Sequence, residues 1–127
     1  MTRTSPPSGH PPPATAETPA GDVDLAALAR EICARYDAEF PDERDRYGPA
    51  GMEWCRHDNQ HLLNWAIADV HHGHVDLLDQ VAWLARVLAA RDFPLARLAR
   101  NLEIGAGVVG DAAVAARLRE AAASVSA

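Results

Sequence analysis

The sequence predicts an all-α fold, a small four- or five-helix bundle behind a disordered, proline-rich amino-terminal tail. Three observations carry this. From residue 22 onward apolar residues recur at three- and four-residue steps, the period of a helix with one buried face. No stretch alternates apolar and polar residues over a useful length, and no Asn-Gly or Asp-Gly pair separates β-branched runs, so no hairpin is signalled. Six of the nine prolines (Pro6, Pro7, Pro11, Pro12, Pro13 and Pro19) fall in residues 1–21 among Ser, Thr and Gly. There they remove amide donors from a segment with little to bury, which favours disorder.

The first helix follows Asp22 or Asp24, either of which can cap it, with Leu25, Leu28, Ile32, Tyr36 and Phe40 as its stripe. Pro41 stops it. Residues 42–47 are charged, a loop or one helical turn, and end at Gly48-Pro49. A second helix spans about residues 50–72, with Gly73 as terminator. The third runs from about Val75 to Arg91 on Leu77, Val81, Leu84 and Leu88. Asp92-Phe93-Pro94 breaks the chain and starts a fourth helix to about Ile104, on Leu95, Leu98 and Leu102. Gly105, Gly107 and Gly110 read as a flexible joint, and Asp111 caps an alanine-rich last helix to about Ala122 carrying Val114 and Leu118.

The 127 residues hold one domain at most, residues 22–127, with no room for a separate cofactor domain. A net charge of −6 argues against nucleic acid as partner, since affinity for phosphates needs cations. No apolar run approaches a membrane span of about 20 residues, and no apolar region follows Arg3 as in a signal peptide. All twelve basic residues are Arg and alanine is abundant, a bacterial style of composition, and a cytoplasmic location is expected. Cys33 and Cys55 match no Cys-x-x-Cys motif and fall on apolar faces, so they are expected as buried thiols.

The second helix has two faces. Met52, Cys55, Leu62, Leu63, Ala66 and Val70 form a core stripe interrupted by Asn59, while Trp54, Asp58, His61, Trp65 and His72 cluster roughly opposite. Trp83, on the third helix, also points away from its own stripe. Tryptophan is costly to leave in water: burying one contributes about 2–3 kcal/mol. Either the terminal helices cover this second face, or part of it is a surface for a partner, a second subunit or a flat ligand.

Six histidines raise the question of a metal. His57 and His61 stand four apart, a spacing that lets two imidazoles chelate one ion. Asp58 and His61 stand three apart, as in the Glu-x-x-His element of di-iron bundles, and His72 lies further along. The third helix supplies only Asp76 and Asp79 in return, and imidazoles at a helix end have a plainer role on its free carbonyls. No metal or cofactor is therefore expected, with His57, Asp58, His61 and His72 the candidates should one bind. No Gly-x-Ser-x-Gly, no phosphate loop and no Cys/His nucleophile pair is present, so a catalyst is not expected.

The run Tyr47-Gly48, Cys55-Arg56-x-Asp58, His61-Leu62, Asp79-Gln80-Val81-Ala82-Trp83-Leu84, Val87-Leu88, Ala90-Arg91-x-Phe93-Pro94 and Leu98 resembles the helical module that precedes the vitamin-binding domain in bacterial cobalamin-binding signalling and regulatory proteins. The resemblance covers residues 47–104. It implies a sensory or packing module, with Cys55, Asp58, His61 and Trp83 as the positions carried over. The vitamin-binding domain itself is missing, so a corrinoid would have to lie against helices alone. The expected function is a non-catalytic interaction or regulatory module, with a protein partner or a second copy meeting Trp54, Asp58, His61, Trp65, His72 and Trp83. The alternative is a ligand- or metal-binding bundle that uses His61 with Asp58, His57 or His72.

Overall fold

The structure, a computed structural model, describes residues 11–126. Five helices account for most of them, as the periodicity predicts: α1 (Leu25–Glu39), α2 (Asp42–Ile67), α3 (Leu77–Ala90), α4 (Leu95–Val108) and α5 (Ala112–Ser126). Helix α4 lies along α5 and α1 along α2, while α3 packs closely on α5 and only sparsely on α2 and α4. The core between them is aliphatic, with Leu25, Ile32, Leu63, Leu77, Leu102, Val114 and Leu118 fully buried. No described helix is long and apolar enough to cross a membrane.

Asp24 and Asp111 cap as the sequence suggests, and Asp76 caps α3 as well. Asp24 Oδ1 accepts from the Ala27 N–H at 3.0 Å, Asp76 Oδ1 from Leu78 and Asp79, and Asp111 Oδ1 from Ala113 and Val114. Each answers N–H groups that the first turn of a helix leaves without an internal partner. Helix α2 closes in a five-residue π turn, Ala68–His72, ended by left-handed Gly73 at φ 73°. That wider turn sets Asp69 against two neighbours: its Oδ2 accepts from the Leu77 N–H at 2.7 Å and from Arg117 Nε at 3.0 Å. On the same turn, the ring nitrogen Nε2 of His71 pairs with Asp111 Oδ2 at 2.8 Å, joining the end of α2 to the start of α5.

Three expectations are corrected. The tail prediction extends to residue 21, but residues 15–24 form an antiparallel hairpin, β1 (Thr15–Thr18) with β2 (Gly21–Asp24); residues 1–10 lie outside the described part. Proline removes donors but leaves carbonyls, and these carbonyls hold the segment down. The Ala14 oxygen accepts from the Leu25 and Ala26 N–H groups, and Gln60 Nε2 donates to Pro13 O at 3.0 Å. Cys33 and Cys55 are not thiols: they form a disulfide between α1 and α2, which packing of the two apolar faces brings to a Cα separation of 6.0 Å. The glycine joint is narrower than expected, because α4 runs on through Gly105, buried where a Cβ would meet Ile32 and Leu118 at 3.6 and 3.8 Å. Only Gly110, at φ 75°, takes a turn conformation there. Of the two alternatives for residues 42–47, the helical one holds, and α2 is kinked at Gly48, whose φ 63° and ψ −160° leave the helical region. Pro49 then sits in the first turn of the main segment, where its missing N–H costs least.

Candidate functional site

The sparse packing of α3 against α2 and α4 leaves a part-open cavity of about 110 Å³ between them. Its apolar walls come from Leu62 of α2, Leu84 and Leu88 of α3, and Leu98 of α4. Trp54, Tyr47 and Phe93 add aromatic surface, the last two with ring centroids 6.3 Å apart. The kink at Gly48 carries Tyr47 and Glu43 over the space, and Gly51 lets Tyr47 settle there. A Cβ at Gly51 would stand 2.5 Å from the Cβ of Tyr47.

Polar groups enter this apolar enclosure at a few points. Asn59 and Asn101 meet deep inside as a reciprocal amide pair, Nδ2 to Oδ1 at 3.0 Å and Nδ2 to Oδ1 at 2.8 Å. Both are buried, and the pairing supplies what burial of an amide requires. Glu43 accepts from the Tyr36 hydroxyl and from Arg97 Nη1 at 2.8 Å. Arg97 also reaches Asp42 at 3.0 Å and lies 4.4 Å from the Phe40 ring centroid. Burial, then the Glu43 hydrogen bond, push the Tyr36 phenol far above its ordinary range. Asp58 differs from these. Its side chain is 18% exposed and pairs through Oδ1 with His57 Nδ1 at 3.1 Å. Burial pushes its carboxyl up to about 6, against the opposing pull of His57 and of Arg91. Arg91 is exposed at the cavity mouth, its guanidinium 6.0 Å from the Trp54 ring centroid.

The six residues of the expected face therefore part company. Trp54 and Asp58 line the cavity. His61 is buried at 9% exposure and packs between His57 and Trp65, ring centroids 4.8 and 5.6 Å away, so it belongs to an aromatic stack on α2. Trp65 and Trp83 are half-buried against the core. His72, the last residue of the π turn, is exposed and its Nε2 meets the carbonyl of Glu17 on the hairpin at 2.9 Å. The histidines and Asp58 do not converge: among the described residues no three His, Cys, Asp or Glu side chains group as metal ligands do. His57 and His61 meet edge to face.

Asn101, Tyr47, Glu43, Arg91 and Phe93 are site residues that helical periodicity does not single out. Asn59 does leave a trace, as the polar interruption of an apolar stripe. Comparison with protein-family models, curated proteins and solved structures finds no match to this chain. The fold and site together define a class, a small helical bundle with an apolar cavity between its helices and a part-buried carboxylate in the cavity wall.

Proposed function

We propose that the protein is a non-catalytic regulatory module whose input is a small molecule held in the cavity between α2, α3 and α4. The observation that carries this is the cavity itself, an apolar enclosure with few polar groups, which is the usual make-up of a small-molecule site. Its size suits a ligand of about one ring, since an apolar protein cavity of about 150 Å³ takes up benzene. A carboxylate kept in such a place with a displaced pKa is a further mark of a functional position.

The test is protein-observed methyl NMR with a set of one-ring compounds, on the wild type and on Leu88→Trp, which fills the space. Binding should shift the methyl signals of Leu62, Leu84, Leu88 and Leu98 in the wild type and vanish in the variant. Shifts mapping elsewhere, or equal binding by the filled variant, would reject the reading.

A second reading, self-association, is favoured by the surface that Trp65 and Trp83 keep open; Trp65→Ala or Trp83→Ala should then lower the sedimenting mass with helicity unchanged. The likeness to the helical module of cobalamin-binding regulators fits a sensory role. In that role a corrinoid would rest outside the bundle, because a corrin ring exceeds the cavity several-fold. The Cys33–Cys55 disulfide counts against a cytoplasmic location, since such bonds persist mainly in oxidising compartments.

A further inference from the structure

The polar groups of the cavity are not equally committed. Asn59 and Asn101 close on each other, and Glu43 is held by Arg97 and Tyr36. Asp58 gives one oxygen to His57, and among the described residues its Oδ2 accepts no hydrogen bond. A carboxylate so placed is short of compensation when ionised, because burial removes water faster than one imidazole replaces it. An anionic guest would face both Asp58 and Glu43 inside the cavity. Arg91 is the opposing cation, but it stands exposed at the mouth, where solvent screens it. Aromatic rings in this wall already neighbour cations, Trp54 with Arg91 at 6.0 Å and Tyr47 with Arg46 at 5.8 Å, as ring faces attract positive charge.

Resting on the reading of the cavity as a ligand site, we propose that its ligand is a protonated amine on an apolar body of about one ring, with the ammonium donating to Asp58 Oδ2. The walls of Leu84, Leu88 and Leu98 take the body, and the carboxylate supplies orientation and selectivity. The charge pair forms in a largely desolvated place, so its loss is felt at full strength.

The test uses calorimetry and methyl NMR on the full oxidised chain at pH 7.5, with benzylamine, benzyl alcohol and benzoate as probes. Benzylamine should bind at least tenfold tighter than benzyl alcohol, and benzoate should not bind. Asp58→Asn, which keeps the volume and the acceptor for His57, should bring benzylamine down to the level of benzyl alcohol. Equal binding of the amine and the alcohol, or benzylamine binding unchanged in Asp58→Asn, overturns the amine assignment and leaves the cavity reading intact. If none of the probes shifts the cavity methyls, both fall.

Discussion

Asp58 shows how one residue trades stability for a site. Its ordinary carboxyl pKa lies near 3.8 and the folded protein holds it at about 6, so the fold binds the proton more tightly than the unfolded chain does. Stability therefore falls as pH rises from about 4 to 6, and above that the charged form carries the full penalty, about 3 kcal/mol at most. Asp58→Asn should raise the free energy of denaturant unfolding at pH 7.5 by about 1–3 kcal/mol and change it little at pH 4. A gain of equal size at both pH values would mean that burial of charge is not the cause. The amide pair gives a contrasting case. Removing one partner, in Asn101→Ala, leaves the Asn59 carbonyl oxygen without its donor and should cost about 1–3 kcal/mol. Replacing both by leucine should cost less than the single change, as a double-mutant comparison would show. The sequence marks Asn59 by its place in an apolar stripe, but Asn101 is 42 residues away, and no local pattern says that the two meet.

At the scale of elements, what local chemistry dictates was legible and what packing dictates was not. The stripe of α3, the stop at Pro41 and the caps Asp24 and Asp111 follow from side chains acting on the nearest turn. The second face of α2 was legible only in part: the 3.6-residue period groups Trp54, Asp58, His61, Trp65 and His72 but cannot tell a cavity wall from a side-chain stack. The π turn moves His72 out of phase and sets Asp69 against Leu77 and Arg117, a contact across three elements. The kink sets two of the cavity's lining residues, Glu43 and Tyr47, ahead of the main segment of α2. Gly48 adopts a conformation that a side chain resists, and Gly51 lies where a Cβ would collide with Tyr47. Gly51→Ala is a helix-favouring change by propensity, about 1 kcal/mol in the ordinary case. Here it should instead push Tyr47 off Phe93, lower stability by about 1–2 kcal/mol as overpacking does, and weaken any cavity ligand. Tyr47 ring signals in NMR would report the displacement, and a stabilised variant with unmoved rings would contradict it.

For the molecule as a whole, the ties that matter are long-range and chemically unlike each other. The hairpin is fastened by carbonyls of a donor-poor segment, α5 by Arg117 and His71, and α1 to α2 by the Cys33–Cys55 bond. None of these could be read from spacing, because two cysteines 22 residues apart on apolar faces serve equally well as thiols until the helices are packed. Once formed, the bond restricts the unfolded chain: closing a loop of this length is worth about 3 kcal/mol in the chain-entropy account. It also bears on the site, since Cys55 lines the cavity and its carbonyl accepts from Asn59 Nδ2 at 2.9 Å. The oxidised protein should therefore unfold at a clearly higher denaturant concentration than the same protein in excess dithiothreitol. The Cys33→Ser/Cys55→Ser variant should match the reduced form and ignore the reductant. A wild type that ignores dithiothreitol, with both thiols titrating freely in the native state, would show that α1 and α2 are held by packing alone. In that event the cavity wall at Cys55 would owe nothing to redox state. If instead reduction lowers stability as expected and also loosens ligand binding, the disulfide is the link through which an oxidising environment reaches the site.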